Sequence, residues 1–281
     1  MVDAANGGAG AGHGGDAGGA VTGGDGAGGI GLPSYSESDL MTALLAEDRG
    51  RSESEPEIAA SIVQQMLHMD LAPLPRSVRV RIRDVTARLQ VKSVIEVGAG
   101  IGHLSAWLFD HWLTEAGSMP DGYTMVERGG RFSIVLQRLI ERHDAAAWAR
   151  VIAGDWQALA AASLSAVDGD ESESPVDPIP PADLIIVHGE SDGLVGDIEA
   201  ALPMLRPGGL LLTPEPLVPT ADVGMPEPDG ELTTGQVQVR EFNAWIALVR
   251  AAETSHSVGF VECTGGTLVA FRRPPSGRPT S

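Results

Sequence analysis

A β-branched run that stops abruptly at glycine sets the centre of this chain: Val91–Trp107 reads VKSVIEVGAGIGHLSAW. Val94, Ile95 and Val97 have the pattern of a short buried strand. Gly98, Gly100 and Gly102 follow at once, and Leu104–Leu113 has the character of a helix. Strand, glycine turn and helix form an entry for a nucleotide-bearing ligand. Glycine lets backbone approach a ligand closely, and a helix N-terminus offers free N–H groups. Two ligand classes compete for this turn. A dinucleotide fold wants G-x-G-x-x-G, but here the third glycine comes one residue early. Glu96, two places before Gly98, would oppose a pyrophosphate and suits a ligand with a cationic head.

Charge narrows the partners. The 281 residues carry 38 acidic and 19 basic side chains, a formal net charge of −19. Such a field repels phosphate backbones and anionic lipid, so neither nucleic acid nor a membrane surface is expected as a partner. A lone cysteine, Cys263, leaves no intramolecular disulfide and no cysteine-based zinc site; it is expected to be a buried structural thiol. No apolar run reaches the length of a membrane span and no leader-like segment opens the chain, so a cytoplasmic location is expected.

Residues 1–31 are glycine- and alanine-rich and read as a disordered tail, with His13 a solvated side chain. Residues 32–54 read as a linker with a short helix over Asp39–Ala46, residues 55–273 as the folded domain, and residues 274–281 as a polar tail. Within the domain, Glu55–His68 and Ser77–Leu89 have helical spacing. Arg76, Arg79, Arg81, Arg83 and Arg88 ring the second of these helices and are expected on a solvated face. Contact with an acidic substrate or a partner subunit is the alternative.

Past the glycine turn, strand and helix patterns alternate. Gly122–Val126 is a strand delivering Glu127, which at this spacing can accept bonds from both ribose hydroxyls of an adenosine ligand. Gly130–His143 is a helix and Arg150–Ala153 a strand, followed by Asp155 and Trp156. Those two side chains either flank an adenine ring or act as a helix N-cap with a packed Trp; taken alone, the cap is favoured. Residues 166–181 read as a surface insertion. Asp183–Val187 is a continuous apolar strand that delivers His188 and Glu190 to the carboxyl edge of a sheet. Leu194–Leu205 is a helix, turned by Arg206–Gly209 into a strand over Leu210–Thr213. A proline-broken loop (Pro214–Gly230), a helix over Gly235–Glu253 and a hairpin of Val258–Cys263 with Thr267–Phe271 complete the chain.

The E-x-G-x-G-x-G string resembles motif I of class I S-adenosylmethionine (SAM) methyltransferases. Over Leu74–Arg273 the chain is similar to the O-methyltransferase family typified by the catechol and caffeoyl-CoA enzymes, most closely its bacterial family 3. The strings VIEVGAGIG, YTMVE, GDW, DLIIV, LPMLRPGGLLL, REFN and GGTLVAFRR stand in the family's order. The resemblance implies a Rossmann-like α/β fold: a mostly parallel seven-stranded sheet, an antiparallel last strand and helices on both faces. It implies SAM as cofactor and methyl transfer to an oxygen of a small-molecule acceptor, often by a homodimer. Glu96, Val97, Gly98, Ala99, Gly100 and Gly102 would then hold the methionine end. Glu127 and Arg128 would lie at the ribose, Asp155 and Trp156 at the adenine, and His188 against the cofactor. The family's hydroxyl in the motif I helix is Leu104 here, and Ser105, one place late, is the candidate cofactor-binding hydroxyl in its stead.

The metal positions depart from the family. Its Asp after the fourth strand is His188, its Asp-Asn pair after the fifth is Pro214 with Glu215, and its catalytic lysine is Ser191. Mg²⁺ wants hard oxygen ligands, so no metal site is expected and Mg²⁺ is disfavoured. Methyl transfer from a sulfonium needs positioning and a deprotonated acceptor, which leaves His188 as candidate general base with Glu190 and Glu215 to orient it. Two alternatives stand beside that role: a softer N/O metal site, or a His188 that merely caps the strand. A non-catalytic SAM-binding protein, a sensor or partner subunit, is the second reading of the whole chain.

Overall fold

The computed structural model describes residues 36–115, 117–167, 177–189, 193–220, 223–224 and 231–276. The expectations for the tail over 1–31 and for Glu190 lie outside these residues, as do most of the insertion and of the final tail and part of the Pro214–Gly230 loop.

Seven strands form one sheet: β1 Ser93–Val97, β2 Gly122–Glu127, β3 Ala149–Ala153, β4 Ala182–Val187, β5 Leu205–Pro214, β6 Ser257–Cys263 and β7 Gly266–Arg272. Their order is β3-β2-β1-β4-β5-β7-β6. Pairings are parallel from β3 to β5, and β7 runs antiparallel to both β5 and β6. This is the expected mostly parallel sheet with an antiparallel last strand. Eight α-helices are described: α1 Glu37–Leu45, α2 Glu57–His68, α3 Arg76–Leu89, α4 His103–Thr114, α5 Gly130–Arg142, α6 Trp156–Val167, α7 Leu194–Ala201 and α8 Thr234–Ala252.

Strand alternation divides the core. Val94, Tyr123, Met125, Leu184, Ile186 and Leu212 face one way and pack with Val85, Leu108 and Leu136 of α3, α4 and α5. Ile95, Val97, Ile185, Val187 and Leu211 face the other way and pack with Trp156, Ile198 and Trp245 of α6, α7 and α8. No described helix is long and apolar enough to cross a membrane.

Three sequence expectations change in detail. The helix expected to reach Leu205 stops at Ala201, and Leu202–Met204 continue as a 3₁₀ turn carrying Pro203, which has no N–H to extend the α ladder. The Arg206–Gly209 turn lies inside β5. Ala182 is opposite Leu205 and Leu184 opposite Leu210, so the extra residues bulge, with Gly208 at φ +80° donating to the Arg273 carbonyl. Cys263 is half-buried, and burial pushes its thiol pKa up.

Apart from the exposed Arg76, the arginines around α3 turn into the protein and do not form the expected solvated face. Arg79 and Arg83 are buried. Arg83 donates to the Ser52 carbonyl and pairs with Asp84; Arg88 donates to the Leu44 carbonyl and Arg81 to that of Leu45. Their acceptors are the Leu44 and Leu45 carbonyls of the last turn of α1, left without an intrahelical partner, and the Ser52 carbonyl of the stretch that follows, all of which a guanidinium fork satisfies well. The expected linker is thus stitched to the domain, and Met41 and Leu45 of α1 enter the core.

Burial lowers the pKa of His103, His111, His143 and His256. The unfolded chain, with histidines near the ordinary value of about 6.5, therefore takes up protons before the folded one. Stability is full above about pH 6.5 and declines as pH falls below it toward the folded values. Thermal midpoints measured downward from about pH 7.5 are expected to drop before any carboxylate titrates; a level midpoint to about pH 5.5 would contradict this.

Candidate active site

The glycine turn opens on a cavity of about 710 Å³ at the carboxyl ends of β1, β2 and β4. Val97, Gly98, Ala99, Gly100, Glu127, Arg128, Trp156 and His188 line it, as do His103, Arg79, Asp197 and the segment Leu71–Leu74. Ala99 and Gly98 are held by the Val126 carbonyl, and the His188 N–H donates to the Val97 carbonyl at 3.0 Å. Gly98 sits at φ +77°, and a Cβ there would lie 1.8 Å from the His188 carbonyl oxygen. Only glycine lets β1 turn out beneath the end of β4.

Glu127 is the anchor of the turn. Its Oε2 accepts from the Gly100 N–H at 2.7 Å and its Oε1 from the Gly129 N–H at 2.8 Å. A carboxylate has about four lone-pair positions, so capacity remains on the cavity side. Asp155 stands back from the cavity. Its Oδ1 accepts from the Ala158 N–H at the start of α6, and its Oδ2 pairs with the exposed Arg128 at 3.1 Å. Trp156 is buried, lines the cavity and donates to the Asp197 carbonyl. The acid on the wall nearest it is Asp197, whose carboxyl pKa burial raises. Nothing in the sequence singled out Asp197, a residue within a helix first turn.

Glu96 and Ser105 do not line the cavity. Both are fully buried beneath it. Glu96 Oε1 meets His188 Nε2 at 2.7 Å, and its Oε2 accepts from Ser105 Oγ at 2.8 Å and from the Tyr123 hydroxyl. Alternation explains the gathering. Glu96 and Tyr123 face α4 with Val94 and Met125, and His188, two past Ile186, is set for the same face. Phe109 and Trp112 clasp the Tyr123 ring edge-on, with centroids 5.5 and 4.9 Å away. Glu215, the other expected orienter, donates its N–H to the Thr267 carbonyl and is not among the cavity-lining residues. Glu190 lies outside the described residues.

A second buried network was not foreseen. Glu55 Oε1 accepts from Trp107 Nε1 and meets His103 Nε2, each at 2.9 Å, while Arg79 Nη2 reaches Oε2 at 2.9 Å. Burial pushes the Glu55 carboxyl up, but His103, Trp107 and the Arg79 charge outweigh it and hold it below the ordinary value. Arg79 Nε is buried with no partner. Replacing Glu55 with Ala strips Arg79 of its counter-charge and two further donors of their acceptor. The expected cost is about 3 kcal/mol in urea unfolding, as for other broken buried pairs. A loss below about 0.5 kcal/mol would mean that water replaces the carboxylate.

The residues present fit SAM: a glycine cradle, the Glu127 carboxylate and apolar walls at Val97, Val126 and Leu104. Among the described residues, no three His, Cys, Asp or Glu side chains gather as a metal site.

The fold is that of class I methyltransferases. No protein-family model and no curated protein sequence matches the chain. Solved structures do. An O-methyltransferase from Bacillus cereus in complex with SAH aligns over 78% of this chain and 92% of its own at 15% identity, with a TM-score of 0.55. TomG from Streptomyces achromogenes, an O-methyltransferase of tomaymycin synthesis in complex with SAM, aligns over 84% and 94% at 17% identity and TM-score 0.54. A structure described as a caffeoyl-CoA O-methyltransferase from Staphylococcus aureus aligns over 77% and 93% at 14% identity, TM-score 0.54. At such identities the likeness establishes the fold.

Proposed function

We propose that this chain binds SAM in the cavity above Glu127 and transfers its methyl group to an oxygen of a small-molecule acceptor without Mg²⁺. The observation that carries the reading is the turn itself: Gly98 under the His188 carbonyl, with Gly100 tied to Glu127 at 2.7 Å. When bound, SAM supplies a sulfonium methyl for in-line displacement, the C–S electron pair returning to sulfur. Glu127 would hold the ribose hydroxyls, and the glycine turn from Gly98 to Gly102 the methionine end. His188, on the cavity wall, would take the acceptor's hydroxyl proton, leaving the oxygen pair to form the new C–O bond.

Of the three family metal positions only Glu215 keeps a hard oxygen donor, while His188 and Pro214 do not, which supports a metal-independent reaction. The net charge of −19 supports a small acceptor over nucleic acid. Calorimetric titration with SAM, SAH and NAD, each with Mg²⁺ and with EDTA, tests the proposal. Micromolar SAM and SAH binding indifferent to EDTA is expected. Absence of SAM binding, or binding of NAD in its place, would overturn it, and SAM binding that needs Mg²⁺ would overturn the metal-free part.

A further inference from the structure

We infer that Glu96 serves His188 and not the cofactor: with Tyr123 and Ser105 behind it, it is the positioning residue that fixes the tautomer of the base. The inference rests on the proposed role of His188 in methyl transfer. It departs from the assignment that motif I suggests for this carboxylate.

Three observations carry it. Glu96 has no exposed surface, so a ligand in the cavity has no path to its oxygens. All three of its partners belong to the protein and approach from the α4 side of the sheet: Ser105 at 2.8 Å, the Tyr123 hydroxyl, and His188 Nε2 at 2.7 Å. His188 meanwhile lines the cavity with its side chain 9% exposed. A carboxylate only accepts hydrogen bonds, and two hydroxyls already donate to Oε2. The proton between Oε1 and the imidazole therefore sits on His188 Nε2, which leaves the Nδ1 lone pair as the basic position. In the reaction, Nδ1 takes the acceptor proton, and the imidazolium so formed lies 2.7 Å from the Glu96 carboxylate. Burial and the Glu96 charge both hold the Tyr123 hydroxyl protonated, so it stays a donor throughout.

Glu96→Gln separates this role from cofactor binding. The amide oxygen is drawn to the two hydroxyl donors on the Oε2 side, which turns the amide N–H₂ toward His188. His188 Nε2 must then accept, and the ring proton moves to Nδ1, the wrong tautomer for a base. ¹⁵N NMR of histidine-labelled full-length protein, followed up in pH until the His188 ring signals stop moving, reads this directly. The parent is expected to carry His188 in the Nε2–H form and the variant in the Nδ1–H form. SAH affinity by calorimetry is expected to stay within about threefold, whereas loss of a direct ligand contact costs tenfold or more.

An Nδ1–H tautomer in the parent protein overturns the inference with no variant needed, so a poorly folding E96Q does not shield it. So does a tenfold loss of SAH affinity in a folded E96Q protein with an unchanged tautomer. Failure of the parent to bind SAH at all is a different result: it sinks the methyltransferase reading.

Discussion

Gly98→Ala is expected to cost at least about 3 kcal/mol of stability and to abolish SAH binding, because two penalties fall on one atom. The residue sits at φ +77°, where a side chain is strained by about 1–2 kcal/mol. Its Cβ would also stand 1.8 Å from the His188 carbonyl oxygen and 2.9 Å from the carbonyl carbon. Both are backbone atoms at the end of β4, so no rotamer relieves the overlap. Relief has to come from parting β1 and β4 at the cavity mouth, which moves His188 and the turn together. Gly100→Ala is the matched control. Gly100 has φ +58° but nothing within 4 Å of an added methyl, so only the strain of about 1–2 kcal/mol applies. Urea unfolding of both variants checks the stability difference, and SAH calorimetry of Gly98→Ala the loss of binding. Equal losses at the two positions would remove the role given to the His188 carbonyl.

His188→Ala is expected to lower turnover by about 10²–10⁴ while leaving SAH affinity nearly unchanged. The ring lines the cavity and is held at 2.7 Å by the buried Glu96 carboxylate. Removing it deletes the proton acceptor and leaves Glu96 with two hydroxyl donors, which an ionised carboxylate tolerates better than none. Turnover with acceptors of falling hydroxyl pKa sharpens the test. An acceptor that is already deprotonated at the assay pH needs no base, so the penalty should shrink along such a series. A uniform penalty across it would mean that His188 positions the acceptor and does not take its proton.

What was legible in the sequence was whatever repeats or turns locally. The β1–glycine–α4 unit, the mostly parallel seven-stranded sheet and the antiparallel closing hairpin follow from β-branched runs, glycine positions and the resemblance they carry. Side-chain partners across the sheet were not legible in the same way. That Glu96 meets His188 depends on the register of β1 against β4, with Glu96 opposite Ile186 and His188 two residues on. Tyr123 joins them through the register of β1 against β2. Parity alone places all three on one face, a signal available in the sequence once the strand order is known. The arginines of α3 were misjudged for another reason: their acceptors are carbonyls of residues 44, 45 and 52, and main-chain oxygens leave no mark in a sequence. Asp155 and Asp197 show the same limit, since which of two acids faces a cavity is decided by helix phase.

The docking of α1 has a consequence for how the chain acquires its structure. Met41 and Leu45 pack against Gly259, where a Cβ would come within 2.9 Å of the Met41 side chain, and Glu37 pairs with Arg272 across 235 positions of sequence. The first described helix meets α3 early, but its larger contact, with β6, is lacking until the last two strands have been made. Its sequence is short, and a nine-residue helix is marginal on its own in water. Completion of the domain waits on its final strands, so a ribosome-bound chain lacking β6 and β7 should expose α1 to protease even when β1 to β4 are already in place.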